Sequence, residues 1–239
     1  IDCIGHRVAH GGEQYKASTK IDAEVKDTIN SLADLAPLHN AADIAGIEAL
    51  EKLFPDVLQI AVFDTAFHHS LPEAVSVYPG PYEWVEKGIH RFGFHGISFQ
   101  YCTRKALEML DGKAEKMVIC HLGSGASLCA VQNGQSIDTT MGFTPLEGLM
   151  MDTRSGTIDP GILLYLLEKE KKKPKELERI LYEESGLLGL SGISSDMRDV
   201  LKMASEGSGR AKLALDVYLH RLTSLIGSMV ASLQGLDTL

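Results

Sequence analysis

Residues 138–160, DTTMGFTPLEGLMMDTRSGTIDP, form the stretch from which the rest of the chain can be interpreted. The stretch contains three glycines and two prolines among small polar residues, a composition that indicates a loop system rather than a helix or strand interior. Loops held in one shape commonly carry function. Arg154 lies between Thr153 and Ser155, which leave its guanidinium room to reach a ligand, and the planar fork suits phosphate. The alternative is a surface loop with a solvated arginine.

Composition is that of an ordinary globular protein. The 239 residues are 44% apolar and 23% charged, enough for one large domain or two smaller ones. The net charge of -9, with acids and bases interspersed, argues against nucleic acid or an anionic membrane as the main partner. No apolar run is long enough to span a membrane, and no stretch has the pattern of a signal peptide.

The four cysteines, Cys3, Cys102, Cys120 and Cys129, contain no C-x-x-C pair, so zinc and redox motifs are not supported and we predict no protein-held metal site. Free thiols favour a reducing compartment, which predicts a cytoplasmic protein. The chain starts within a strand-like run and stops where a new apolar segment begins. We therefore expect it to be an internal piece of a longer protein.

Strands, hairpins and helices alternate in the manner of an α/β fold. Apolar patterning predicts strands at 3–9, 58–63, 117–122 and 127–131, and Asn133-Gly134 predicts a hairpin to a strand at 135–138. Helices are predicted from residue 21, and at 40–55, 99–110, 160–171, 174–184, 195–205 and 209–233. Turn formers become frequent after residue 64, so we predict one domain at 1–66 and a second at 67–239.

Three residues stand out in the first half of the chain. Asp64 follows the apolar strand at 58–63, and carboxyl ends of strands commonly carry catalytic groups in α/β folds; a helix N-cap is the alternative. Arg7 lies on a strand that turns through glycines and is either an anion clamp or a salt-bridge partner. His95 lies between Phe94 and Gly96, where it is either a hydrogen-bond donor to developing charge or a turn residue.

Two further segments could bind a nucleotide. The run 121–127, HLGSGAS, joins two predicted strands, and its glycines would let backbone N–H groups approach a phosphate. It lacks both the G-K-[ST] of a Walker loop and the following helix of a Rossmann loop. The run 191–199, SGISSDMRD, opens a helix whose N–H groups could face a nucleotide. The alternatives are a tight turn and a plain capped helix.

In chain order, these blocks resemble those of the acetate kinase family, which includes propionate and butyrate kinases. The matching blocks are GHRVAHGG, LAPLHN, FDTAFH, FGFHG, HLGSGAS, SGISSDMRD and the stretch quoted first. The resemblance implies the two-domain α/β fold of acetate and sugar kinases and actin-like ATPases, only partly covered by this chain. It implies reversible phosphoryl transfer from ATP, with Mg²⁺, to the carboxylate of acetate or another short-chain acid. A cytoplasmic homodimer is also implied.

The resemblance assigns roles to individual residues. It implies that Asp64 is the catalytic carboxylate, and that His95 and Arg154 stabilise the transition state. Substrate-binding residues would be Arg7, with an apolar pocket formed by Ala9, Leu38, Phe94 and Pro145. The nucleotide site would be lined by His121, Leu122, Gly123, Ser124, Gly125, Asp196, Met197 and Arg198.

The sequence also departs from the family pattern at Ser124, Asp152 and Thr157, where relatives usually carry Asn, Gly and Asp. These departures bear on the nucleotide affinity and the phosphoryl donor. Two other functions therefore stay open: a kinase that prefers propionate, and a degenerate, non-catalytic member that binds ligands.

Overall fold

A computed structural model describes residues 1–32 and 40–239, which contain two separate three-stranded sheets. The strands are β1 (Cys3–Val8), β2 (Thr19–Lys20), β3 (Leu58–Phe63), β4 (Lys116–Leu122), β5 (Ala126–Gln132) and β6 (Gln135–Thr139). The helices in the first half are α1 (Ala23–Ser31), α2 (Asn40–Leu53), a 3₁₀ helix (Ala66–Ser70), α3 (Glu73–Ser76), α4 (Glu83–Glu86) and α5 (Gly96–Met109). The later helices are α6 (Pro160–Glu168), α7 (Pro174–Glu183), α8 (Gly186–Ser191), α9 (Met197–Ser205) and α10 (Gly209–Leu233).

The first sheet has the order β1-β3-β2, with β1 parallel and β2 antiparallel to the central β3. Its inward side chains pack against α1 and α2 in a core formed by Val8, Ile21, Val25, Ile29, Ile44, Ile47, Ala61 and Phe63. Because β1 and β3 run in parallel, the residues that follow them emerge at the same edge of the sheet. This geometry brings Arg7 and Asp64 together.

The second sheet is an antiparallel meander in the order β4-β5-β6, and α10 packs on it. The side chains of β5 are buried from Ala126 to Val131, as expected for a central strand covered on both faces. The β4–β5 connection is the glycine loop of residues 123–125, and the β5–β6 connection is Asn133-Gly134, which confirms the predicted hairpin.

The segment between the two sheets is held by buried polar contacts. The imidazole of His68, in the 3₁₀ helix, lies 2.8 Å from Ser136 Oγ and 3.0 Å from the carbonyl oxygen of Phe94. The backbone N–H of Gly96 donates to the carbonyl oxygen of Asp64 at 2.8 Å. The start of α5 is therefore tied to the end of β3, which places His95 beside Asp64.

The elements differ from the predicted ones in burial, in some of their ends and in the short elements. Only one face of β3 is buried, because Leu58 is exposed and Ile60 and Val62 are half-buried, although an apolar run of this kind is typical of a strand buried on both faces. The helix predicted at 160–171 ends at Glu168, and Lys171 takes a left-handed conformation. The short elements β2, the 3₁₀ helix, α3, α4 and α8 were not predicted. Among residues 1–32 and 40–239, no helix is both long and apolar enough to cross a bilayer.

Candidate active site

Arg7 and Asp64 form an ion pair at the carboxyl edge of the first sheet. The Nη2 and Nε atoms of Arg7 donate to the same carboxylate oxygen, Asp64 Oδ2, at 2.6 and 3.1 Å. Asp64 is only 3% exposed, whereas the side chain of Arg7 is 52% exposed. The pair therefore has a buried acidic end and a basic end that is open to a ligand.

Burial raises the pKa of Asp64, while the guanidinium of Arg7 acts in the opposite direction. Within the described residues, the other carboxylate oxygen, Oδ1, accepts no hydrogen bond, so it is available to a ligand. Thr65, rather than Asp64, precedes the 3₁₀ helix. Asp64 is thus not the N-cap that the sequence left as an alternative.

His95 and His121 stack on each other next to this pair. Their ring centroids are 4.1 Å apart, with an angle of 21° between the ring planes. His95 comes from the residue before α5, and His121 comes from the end of β4. Each ring is held through its Nδ1 atom by a serine hydroxyl, His95 by Ser127 at 2.8 Å and His121 by Ser98 at 2.9 Å.

Both imidazoles are neutral at physiological pH. Burial, together with the positive charges nearby, lowers the pKa of His95 to about 3. Burial also lowers the pKa of His121, although the carboxylate of Asp64 opposes this shift. A neutral imidazole still carries one N–H group. Each ring can therefore donate a hydrogen bond to an anion without adding a charge.

Gly125, in the glycine loop, brings Arg154 and His95 together. A Cβ atom at Gly125 would lie 3.1 Å from Arg154 Nη2 and 3.2 Å from His95 Nε2, closer than most real side-chain contacts. The other end of the guanidinium is anchored, because Nη1 donates to the carbonyl oxygen of Pro145 at 2.7 Å. Because residue 125 has no side chain, a space remains beside it that the charged guanidinium of Arg154 and the neutral imidazole of His95 both face.

A cleft of about 580 Å³ opens beside the Arg7–Asp64 pair and the two stacked histidines, and Arg154 lies outside its lining. It is lined by Arg7, Asp64, His95, Ile97, Ser98, Tyr101 and His121. His121, which we assigned to the nucleotide site, therefore lies in the same cleft as the catalytic candidates. Ala9, Phe94 and Pro145 are buried and lie outside this lining. Leu38 lies outside the described residues, so the apolar substrate pocket stays a prediction.

A second cavity, of about 590 Å³, lies beside the glycine loop. It is lined by Leu122, Gly123, Ser124, Met151, Asp152, Leu187, Ser195, Asp196, Met197 and Tyr218. Two segments predicted to bind the nucleotide, 122–124 and 196–197, thus share one cavity. Arg198 is not part of this lining: its side chain is 89% exposed and forms an ion pair with Asp196, two residues earlier.

The three departures from the family pattern have clear contacts. The hydroxyl of Ser124 donates to Asp152 Oδ2, which places a carboxylate on the wall of the second cavity. The backbone N–H of Thr153 donates to the other oxygen, Oδ1, at 2.6 Å. Thr157 instead supports the loop, because its hydroxyl accepts from the N–H of Gly148 at 3.0 Å.

Sequence reasoning missed several residues of both cavities. Ser98 and Tyr101 lie about one and nearly two turns into α5, on the helix face that lines the first cleft. Their spacing along the helix that follows His95 could have identified them from the sequence. Ser127 is fully buried and touches His95 across 32 positions of sequence. No local signal points to that contact.

Comparison with known proteins places these features in context. The family model described as the acetokinase family matches residues 1–239. The chain is 57% identical to an acetate kinase of Nostoc punctiforme and 60% identical to one of Microcystis aeruginosa, in each case over 100% of this chain. It spans about 60% of the length of these curated relatives.

Solved structures agree. An acetate kinase of Porphyromonas gingivalis superposes with a TM-score of 0.92 at 41% identity, over 99% of this chain and 60% of that one. A propionate kinase of Francisella tularensis superposes with a TM-score of 0.95 at 42% identity, over 99% of this chain and 62% of that one. These matches confirm the predicted actin-like ATPase fold of acetate and propionate kinases and its partial coverage by this chain. The domain boundary after residue 66 stays a prediction.

Proposed function

Because this chain belongs to the acetokinase family, we propose that the whole protein is an acetate kinase, which transfers a phosphoryl group reversibly between ATP and the carboxylate of acetate. One observation supports this most strongly. The guanidinium of Arg154 and the imidazole of His95 face the same space at Gly125, at the edge of the cleft that holds the Arg7–Asp64 pair. Phosphoryl transfer depends mainly on such positioning and charge stabilisation.

In this mechanism, Arg7 and Asp64 bind and orient the acid, whereas Arg154 and His95 stabilise developing charge. Arg7 holds the acid carboxylate or the transferring phosphoryl group by charge-assisted hydrogen bonds. Asp64 fixes the guanidinium of Arg7 and orients the acid. The substrate, like other carboxylic acids, is already ionised at neutral pH. Its orientation by Asp64 therefore matters more than removal of its proton. Arg154 and the neutral His95 stabilise the charge on the equatorial oxygens.

The second cavity is the proposed site for the nucleotide. Gly123 and Ser124 present loop backbone on one side, and Asp196 and Met197 begin α9 on the other. We propose ATP as the donor and Mg²⁺ as its counterion. No group of three or more His, Cys, Asp or Glu in residues 1–32 and 40–239 could hold a metal ion. Mg²⁺ usually binds substrate phosphates with one or two carboxylates, so it would arrive with ATP and neutralise phosphate charge.

The assay for this proposal uses the full-length protein. Acetate and ATP are incubated with hydroxylamine, which traps the acyl phosphate as a coloured hydroxamate. Formation with ATP in the wild type, and its loss in Asp64→Asn, supports the proposal. Asp56→Asn is the matched control, because Asp56 is exposed, lies outside the lining of both cavities and should leave turnover unchanged. If the wild type makes no hydroxamate with ATP or pyrophosphate, it is not an acyl kinase, and calorimetry with ATP and acetate tests the non-catalytic alternative.

Propionate is the second candidate substrate. Ala9, which is buried and lies two residues after Arg7 along the chain, offers less bulk than the Val that the resemblance leads us to expect in acetate-preferring relatives. The structural match to a propionate kinase is as close as the match to an acetate kinase. Propionate in the same hydroxamate assay distinguishes the two acids.

We also propose that the protein works as a homodimer in the cytoplasm. The family resemblance supports the dimer, and the free thiols of Cys3, Cys102, Cys120 and Cys129 fit a reducing compartment. Sedimentation of the full-length protein tests the first point.

A further inference from the structure

Two serine–histidine contacts cross between the start of α5 and the β4–β5 hairpin. His95, at the helix start, is bonded to Ser127 on β5, while His121, on β4, is bonded to Ser98 in the helix. The two rings stack between these contacts. The two serines thus contact the imidazoles at Nδ1. The Nε2 atom of each ring is left for another hydrogen-bond partner.

The surroundings of Ser127 decide the direction of its hydrogen bond. Ser127 is 0% exposed, so bulk water does not reach its hydroxyl. Within the described residues, its Oγ has one hydrogen-bond partner, Nδ1 of His95. If Nδ1 carried the proton and donated, the O–H of Ser127 would be a buried donor without an acceptor, which is unfavourable.

The opposite arrangement satisfies both groups. The Ser127 hydroxyl then donates to an unprotonated Nδ1, and the single proton of the neutral ring sits on Nε2. That atom faces the space at Gly125, which Arg154 Nη2 also faces. We propose that Ser127 is a positioning residue that fixes the Nε2–H tautomer of His95, so that the ring donates a hydrogen bond to the transferring phosphoryl group. The effect on turnover rests on the proposed function, but the tautomer does not.

The histidine on the other side of the stack provides an internal comparison. Ser98 is half-buried and lines the open cleft, so its hydroxyl can find water as another partner. The same reasoning therefore does not fix the tautomer of His121. Ser98→Ala is the matched control for Ser127→Ala: it removes the same hydroxyl from the neighbouring ring of the stack.

The test combines a spectrum with kinetics on the full-length protein. Long-range ¹⁵N–¹H spectra of protein labelled with [¹⁵N]histidine report which ring nitrogen carries the proton, and His95→Gln assigns the His95 signals. We expect the Nε2–H form in the wild type, a mixture of tautomers at His95 in Ser127→Ala, and no change at His95 in Ser98→Ala. We expect Ser127→Ala to lower kcat by about 10- to 100-fold, as loss of supporting hydrogen bonds commonly does, with KM for acid and ATP nearly unchanged.

Two further variants keep the inference testable if Ser127→Ala does not fold. The side-chain nitrogen of glutamine can take the place of Nε2, and that of asparagine the place of Nδ1, so His95→Gln should keep more activity than His95→Asn. A proton on Nδ1 of His95 in the wild type, or unchanged kcat in a folded Ser127→Ala, would overturn the inference. A wild type that makes no acyl phosphate would instead overturn the proposed function, and the spectra would still decide the tautomer.

Discussion

The hydroxyl of Ser124 donates a hydrogen bond to Oδ2 of Asp152, and this contact joins the glycine loop to the loop that carries Arg154. Because Thr153 N–H donates to the second oxygen, the carboxylate of Asp152 is held in one orientation. It lies on the wall of the cavity that we propose for the nucleotide. If the nucleotide binds there as proposed, a fixed negative charge faces the phosphates of the donor.

Removal of that charge should improve nucleotide binding. We expect Asp152→Asn, which keeps the shape of the side chain, to lower the KM for ATP by about two- to fivefold, the range for a solvent-screened charge pair. The gain should shrink as salt is raised, because salt screens exposed charges. Initial rates at 0.05 and 0.5 M KCl would measure it. Ser124→Ala breaks the contact but keeps the charge, so an equal gain in that variant would contradict the electrostatic explanation.

Each active-site arginine should be essential for turnover. Arg154→Ala and Arg7→Ala should each lower kcat/KM by about 10²-fold or more, the size of effect seen when one transition-state donor is removed. Arg7→Ala also leaves Asp64 buried without its partner, so its thermal stability should fall as well. Steady-state kinetics and melting curves separate the two effects. Turnover like that of the wild type in either variant would remove that arginine from the site.

Ala9 should set the preference between acids. Exchange for Val adds two carbons, and each buried methylene of substrate contributes about 0.8 kcal/mol where the pocket has room for it. We expect the wild type to use propionate at least as well as acetate, and Ala9→Val to shift kcat/KM toward acetate, by less than about 200-fold. Rates with both acids on both proteins measure the shift. An unchanged ratio would show that another side chain fills the space.

Buried neutral histidines should make the fold sensitive to acid. Burial lowers the pKa of His68 to about 4, from an ordinary value of 6.5. Between pH 6.5 and 4, this histidine is protonated in the unfolded chain but not in the folded chain. The neutral His68 therefore contributes to stability above pH 6.5, and this contribution is lost as the pH falls toward 4. Between pH 7.5 and 5.0 the loss should be about 2 kcal/mol for this residue.

Urea denaturation of the wild type and His68→Gln at both pH values tests this contribution. Glutamine cannot bind the proton, so the variant should lose less stability than the wild type over the same interval. Asp64, whose pKa is raised by burial, titrates with the opposite sign in both proteins and cancels in the comparison. Equal losses in the two proteins would mean that His68 does not contribute.

Local features of the fold were predictable from the sequence. Asn133 and Gly134 both adopt positive φ angles, 52° and 81°, which suit a two-residue hairpin and which these residue types tolerate. The strands on either side follow from their apolar patterning. Helix α8 was missed because it spans only the six residues Gly186–Ser191, too few for a helical pattern of apolar residues to be detected. It also begins at a glycine with a φ angle of 62°.

The site was only partly predictable, for a physical reason. Arg7, Asp64, His95 and Arg154 lie beside glycines or at strand ends and could be identified one by one. Their mutual geometry depends on tertiary contacts between distant residues. The same is true of the stack of His95 on His121, which places His121 in the lining of the first cleft, while its role in the nucleotide site stays a prediction. Leu38 falls outside the described residues, and its role stays a prediction.

The hydrogen bond from Gly96 N–H to the carbonyl oxygen of Asp64 restricts which residue can occupy position 96. A Cβ at position 96 would lie 2.2 Å from that oxygen, so only glycine allows the two backbones to meet. Asp64 and His95 are thereby linked directly through the backbone. A side chain at position 96 would therefore displace the carboxylate and the imidazole from each other, although residue 96 itself contributes no group to the cleft.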